Sequence, residues 1–520
     1  MFMDALKETL NEEGNVSITE NGAIGYRTSG KALLDLNFAV ASMRSMSESE
    51  IFNKFMKAFC EDHMLAMRWL FFARDAREGL GERRLFRVVI KNLVKSNPEM
   101  VIPVINLISE YGRYDDLWCL LDDKDAYSVV IELIDKQFSE DLKNMKENKP
   151  ISLLAKWAPS PNASSNQTKQ YAKKIYKGLG LTEREYRKAL SKFRKYLDVV
   201  EVKMSNKEWD EINYETVPSR ANLIYNNAFL RNDEDRRREY LNKLEKGEVK
   251  INASVLYPHD IVHKYIKDGW YGNYLQKMDA SLEALWKALP DTVQGNGNTI
   301  VVADGSGSMM TNVGNTGVTA LEVANALAIY FAEHCTGEFK DKYITFSENP
   351  QFVDFSNDKS LHDKLQTALS YNEIANTNIE KVFDMILTTA VKNNMSQEDM
   401  PKNILIVSDM EFDSCAVAGI SKKDSYGYHR YTSPNAKLFE VINQRFEDAG
   451  YSMPRLVFWN LDSRTGTIPV KENEFGVALV SGFSVNICKM VMSGKTDPYE
   501  CLLETLNSER YDPIEKALKG

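Results

Sequence analysis

Ile300-Val301-Val302-Ala303-Asp304-Gly305-Ser306-Gly307-Ser308 decides how this chain is read. Four apolar residues in succession predict a strand buried on both faces, as in a parallel sheet. The run stops on Asp304, and Gly305 and Gly307 allow a tight turn after it. One carboxylate and two hydroxyls then project from a loop at the strand's carboxyl end, where open α/β sheets bind ligands. All three are hard oxygen donors of the kind that Mg²⁺ and Ca²⁺ prefer.

Outward from this stretch, the pattern repeats towards the C-terminus. Strands are expected at 299–304, 341–346, 351–355, 402–408, 454–460 and 476–480, and helices at 319–335, 377–392, 435–449 and 484–492. That alternation predicts an α/β domain over 299–494, with a mostly parallel, Rossmann-like sheet covered on both faces. The strand Asn403–Ser408 runs into Asp409, a second carboxylate expected at the same sheet edge. Thr377 opens a helix between the two strands and offers another hydroxyl. With Glu380 three residues on, Thr377 also fits a capping box, so it has two readings. Asp304, Ser306, Ser308, Thr377 and Asp409 together predict a site for one divalent cation, Mg²⁺ first, with Ca²⁺ or Mn²⁺ as alternatives. Two-metal hydrolysis normally gathers more carboxylates than this.

Towards the N-terminus the pattern is different. Residues 1–30 read as an extended arm. From 31 to 290 apolar residues recur at three and four, as in Phe52-Phe55-Met56-Phe59 and Leu85-Val88-Val89. Short amphipathic helices in succession predict an all-α helical-repeat domain. Residues 291–298, with two glycines after Pro290, read as a linker. The tail, 495–520, carries enough apolar residues to pack back on the body.

The chain has 520 residues, 43% hydrophobic and 27% charged, with a net charge of −9. This fits a globular protein of several domains and argues against a uniformly basic coat. Residues 161–200 are the exception. Lys169, Lys173, Lys174, Lys177, Arg184, Arg187, Lys188, Lys192, Arg194 and Lys195 face only three acids there. Tyr171, Tyr176, Tyr186, Phe193 and Tyr196 are interleaved with them, a composition suited to phosphate contacts and base stacking. Two smaller basic groups, Arg74–Arg87 and Arg231–Arg238, lie beside acids expected to pair with them. The six cysteines show no CxxC spacing, so no zinc site is expected, and buried free thiols in a reducing compartment are. No signal peptide and no membrane span are visible, which makes the expected location cytoplasmic. The histidines form no ligand cluster, Ser306 has no paired His and there is no P-loop, so no enzyme activity is expected.

Asp304-x-Ser306-x-Ser308, Thr377 and Asp409 resemble the metal-ion-dependent adhesion site of von Willebrand factor A domains. The resemblance implies that the hydroxyls hold the ion directly, the aspartates act through water, and an acidic group from a partner takes the remaining position. Met410-Glu411 stands where that family usually has glycine after the second aspartate, and Glu411 and Asp413 are expected to tune the metal or face a partner. Phe72-Ala73-Arg74-Asp75 through Arg83, Tyr111-Gly112-Arg113-Tyr114-Asp115-Asp116-Leu117-Trp118, Leu154–Ser160, Val217–Ser219 and Tyr257–Asp260 resemble the helical (TROVE-type) module of Ro-like RNA-binding proteins, in a divergent branch found in bacteria, their viruses and plants. The resemblance implies a HEAT-like helical-repeat ring followed by a von Willebrand A domain. It also implies a monomer that binds small non-coding RNA on the ring and RNA 3′ ends in its hole. The rival expectations are an RNA-independent interaction scaffold that uses the metal site, and a metal-dependent nuclease.

Overall fold

The computed structural model describes residues 14–22, 24–267, 274–293, 298–314, 316–346, 349–371, 379–412, 422–423, 429–430, 438–469, 477–487 and 497–520. They form two compact units, one of Glu48–Val255 with Leu506–Gly520 and one of Met1–Ser47 with Leu256–Thr505.

The first unit is helical. It contains α1 (Glu48–Glu61), α2 (His63–Arg74), α3 (Arg83–Ser96), α4 (Lys124–Lys146), α5 (Asn166–Gly178), α6 (Glu183–Tyr196), α7 (Ser219–Asn232) and α8 (Glu234–Glu245). Amphipathic spacing builds each of them. In α3, Leu85, Val89 and Leu93 are buried while Arg83 and Arg84 are exposed. Burying each such side chain contributes about 1.5–3 kcal/mol. Helix starts are fixed by caps: Asp62 accepts from Leu65 N, and Thr182 and Glu185 form a capping box.

Ion pairs knit this unit where its apolar layers meet. Arg74 and Asp116 are both buried, with Arg74 Nε 2.7 Å from Asp116 Oδ2. The other oxygen of Asp116 takes Arg87 Nε at 2.7 Å. Gly112 is required beside them, since a Cβ there would lie 2.5 Å from Asp116 Oδ2. Within the basic group at 74–87, Arg74 and Arg87 are therefore neutralised from the 115–116 turn. Asp75, one of the neighbouring acids, pairs instead with Arg510 at 2.8 Å. Tyr511 packs against Phe72 and Tyr111. In the 231–238 group, Arg236 pairs with Asp233 at 3.0 Å and Arg238 with Glu234 at 2.8 Å, as expected from the neighbouring acids. Arg237 is fully buried among Tyr214, Phe229 and Tyr240, and donates to Asn222 and Asn226.

The second unit holds a six-stranded sheet: β1 (Thr299–Asp304), β2 (Lys342–Phe346), β3 (Phe352–Asp354), β4 (Asn403–Ser408), β5 (Arg455–Asn460) and β6 (Val477–Ser481), in the order β6-β5-β4-β1-β2-β3. All neighbours are parallel except β2 and β3. Val302 of β1 stands between Ile344 of β2 and Ile406 of β4. The chain winds to one side through β2 and β3 and to the other through β4, β5 and β6. The direction of winding therefore switches between β1 and β4, at the edge where Asp304 and Asp409 emerge.

Two helices explain why these units differ from the boundaries expected at 31–290 and 299–494. Helix α10 (Ala320–His334) is buried without a gap from Ala320 to Ala332. A helix buried all round needs cover on its outer face as well as on its sheet face. That cover is α9 (Pro258–Tyr265), which brings residues from 256 onward into the α/β unit. The arm at 14–30 is not simply extended. Val16–Ile18 pairs antiparallel with Ile24–Tyr26, and Tyr26 and Ile468 exchange backbone hydrogen bonds of 2.8 Å. Among the described residues no helix is long and apolar enough to cross a membrane.

Asp116→Ala leaves Arg74 buried without its carboxylate and is expected to lower stability by about 3–5 kcal/mol in urea unfolding. A loss below about 1 kcal/mol would show that the pair does not hold this unit together.

Candidate functional site

The carboxyl edge of the sheet gathers four of the five residues selected from the sequence. Asp304 ends β1 and Asp409 directly follows β4, and each is only 1% exposed. Ser306 N donates to Asp304 Oδ1 at 2.9 Å, and Ser408 Oγ donates to Oδ2 at 2.7 Å. The hydroxyls of Ser306 and Ser308 lie 3.0 Å apart, and Ser308 also hydrogen-bonds to Asp409. Thr377 lies outside the described residues, as does Asp413.

Burial, and then the neighbouring charge of Asp409, raises the Asp304 carboxyl above its ordinary range. Burial raises Asp409 as well. Two carboxylates kept from water and close together favour a cation between them. The donor set of two carboxylates and two hydroxyls is all hard oxygen and fits a divalent ion of the Mg²⁺ or Ca²⁺ type. Among the described residues no group of three or more His, Cys, Asp or Glu side chains is arranged to hold a metal. An ion here therefore depends on the serine hydroxyls and water for much of its coordination.

Three further residues shape this edge. Asp462, just past β5, is 8% exposed, and its carboxyl is pushed up to about 6 by burial and by Asp409. The sequence signal was available: Leu456–Trp459 is another apolar run that ends at the same edge. Arg464 places Nη2 3.3 Å from Asp409 Oδ2 and Nε 2.7 Å from Glu20 Oε2, so one cation already leans on the site from the N-terminal arm's side. Met410 sits at φ 63°, the left-handed region that favours glycine, so the backbone there follows the turn for which glycine was expected. Its N–H is held by Ser408 Oγ at 3.0 Å.

Glu411 corrects an expectation. It is fully buried and accepts from the backbone N–H groups of Glu20 at 2.7 Å, Arg464 at 2.8 Å and Thr465 at 2.9 Å. Its carboxylate ties the arm to the loop after β5 instead of facing outward to a partner, while its charge still acts on Asp409. His259 and His263 form no metal pair either. His263 Nδ1 lies 3.0 Å from Glu322, and His259 is buried against Tyr257 and Phe483.

In the helical unit, Lys169, Lys173, Lys177, Arg184, Arg187, Lys188, Lys192 and Lys195 are exposed. Arg184, Arg187, Lys188 and Lys195 line one cleft of about 1050 Å³, whereas Lys173 and Lys177 border a separate groove beside Asp122 and Asp123. Two of the ten are occupied structurally. Arg194 donates to the carbonyls of Ala155 and Ala158 and to Ser160 Oγ, and Lys174 pairs with Asp122. The interleaved aromatics do not form a stacking surface. Tyr186 and Phe193 are buried and pack on Phe138, Tyr171 and Tyr176 are half-buried, and the Tyr196 hydroxyl donates to Lys149 O. Helical spacing turns Tyr186, Leu190 and Phe193 to one inward face. The free thiols are likewise not all buried, since Cys60 is exposed.

Residues 298–516 match a family model described as Domain of unknown function (DUF7788), and residues 164–299 match one described as Domain of unknown function (DUF2828). The two meet where the sequence pattern changes. Uncharacterized protein L728 of Acanthamoeba polyphaga mimivirus is 29% identical over 540 residues, spanning 96% of this chain and 89% of that protein. The crystal structure of the Ro (RSR) protein of Deinococcus radiodurans matches 86% of this chain and 92% of that chain at 12% identity and a TM-score of 0.32, a likeness too low to carry an argument.

Titration with Mg²⁺ or Mn²⁺ is expected to show one bound ion and a rise in unfolding temperature, both lost in Asp304→Asn with Ser306→Ala. Equal, metal-independent unfolding of both proteins would contradict the site.

Proposed function

We propose that this protein binds RNA through its helical unit and docks an acidic group of a partner through a divalent cation on its α/β unit, without catalysing a reaction. One observation carries the docking part: Asp304, Ser306, Ser308 and Asp409 converge where the winding of a parallel sheet reverses. Neutral hydroxyls in the donor set leave a bound ion electrophilic, which suits capture of one more carboxylate. The likeness of these residues to a metal-ion-dependent adhesion site, and the reading of the α/β unit as a von Willebrand A domain, belong to this proposal. So does the Ro-like, HEAT-like reading of the helical unit.

The RNA part is supported by the exposed cations on α5 and α6 and by the cleft that gathers four of them. With Tyr186 and Phe193 turned inward, the contact on α6 is made chiefly through phosphates. It is therefore salt-dependent and tolerant of sequence. A small non-coding RNA or an RNA 3′ end meets that requirement. Asp462 brings a third carboxylate to the sheet edge, the one observation that favours the nuclease alternative. Arg464 offsets its neighbour Asp409.

Changing Lys173, Lys177, Arg187 and Lys188 together to Glu is expected to weaken RNA retention by at least about a hundredfold at moderate salt and to flatten its salt dependence. Unchanged retention would favour an interaction scaffold that works without RNA. RNA cleavage that requires Mg²⁺ and disappears in Asp304→Ala would overturn the non-catalytic reading.

A further inference from the structure

A third opening in the helical unit, a cavity of about 540 Å³, lies apart from the α6 cleft and the groove beside Asp122. Its wall is the first turns of α3 with Arg83, Arg84, Arg87 and Lys91, faced by Trp157 and by Tyr171 of α5. Its volume falls within the range of about 300–1,000 Å³ that small-ligand sites occupy.

The charge arrangement is unusual for a helix start. The N-terminus of a helix attracts anions and disfavours cations. Yet α3 has no acidic residue in its first turn, its N-cap Glu82 makes no side-chain cap, and three arginines crowd its first five positions. The acids on the wall are Glu48 and Asp115, and Asp115 is already shared between Arg87 at 2.9 Å and Arg113 at 2.5 Å. Asp116 behind it is taken up by Arg74 and Arg87. Among the described residues Arg83 and Lys91 form no ion pair. Positive charge therefore accumulates around this cavity beyond what its own carboxylates neutralise.

The aromatic wall narrows the ligand. Trp157 carries the Arg113 guanidinium over its ring at 3.8 Å and accepts the Trp118 indole N–H at its carbonyl, which fixes its backbone and ring. Tyr171, held through its hydroxyl by Gln167, borders the same space. A rigid aromatic border beside a cationic helix start suits a flat ring joined to an anion.

We propose that this cavity is a nucleotide-phosphate site, in which Arg83, Arg87, Lys91 and the α3 N-terminus hold a phosphate and the Trp157–Tyr171 border receives the attached base. The phosphate belongs either to a free mononucleotide or to an RNA. Only the second source rests on the RNA-binding reading above.

The test uses the full-length protein, with tryptophan fluorescence as readout for inorganic phosphate and AMP, and anisotropy for a short labelled RNA with and without a terminal phosphate. Saturable binding of AMP, tighter than that of inorganic phosphate, is expected. Arg83→Gln with Lys91→Gln should weaken it by about tenfold or more while leaving the unfolding temperature unchanged. If RNA binds with a preference for the phosphorylated end, and AMP competes, the source is RNA. If AMP binds but RNA does not, the cavity holds free nucleotide and the RNA reading fails alone. RNA binding with no response to AMP or phosphate, or AMP binding indifferent to the double substitution, would overturn the nucleotide-phosphate site.

Discussion

Two carboxylates kept out of water beside each other impose the main constraint on the α/β unit. Asp304 and Asp409 leave the sheet from adjacent parallel strands, so their separation is set by strand spacing and cannot relax. What surrounds them works against that repulsion. Ser408 and the Ser306 N–H satisfy Asp304, and the Glu411 N–H and Arg464 serve Asp409. Arg464 in turn reaches Glu20, and Glu411 gathers amides from both the arm and the loop after β5. A stretch near the N-terminus thus becomes part of the wall of a site formed almost three hundred residues later.

Much of this was legible in the sequence, for a definite reason. A strand buried on both faces reads as an unbroken apolar run, and Ile300–Ala303 and Ile404–Val407 announce both the strands and the polar residues that end them. Asp462 follows the same rule at a distance, with Asn460 and Leu461 between it and its apolar run. The partnership of Glu20 with Arg464 had no local signal, since an ion pair between distant segments leaves no periodicity. The domain boundary behaved similarly. Two family models meet near 298, where the pattern changes. Yet contacts carry 256–293 into the α/β unit, because α10 needs a covering layer that composition does not advertise.

The helical unit shows where composition misleads. Basic and aromatic residues alternate through 161–200, but the 3.6-residue turn separates them, sending Tyr186 and Phe193 inward and leaving lysines outside. Two of the ten cations are structural staples. Conversely, the arginines of 74–87, expected to pair with neighbouring acids, include Arg74 in a buried pair that holds the fold, Arg87 shared by Asp115 and Asp116, and Arg83, which forms no ion pair among the described residues. Charge counts along a sequence could not make that division, because it depends on Asp115 and Asp116 arriving from another element.

The claim on which the account turns is that the sheet edge is built to hold a cation. It is tested most directly by anomalous scattering from crystals grown with Mn²⁺. The account predicts one strong peak within ligand or water-mediated distance of Asp304, Ser306, Ser308 and Asp409. No peak there, with Arg464 still resting against Asp409 and the carboxylates joined by a shared proton, would contradict it.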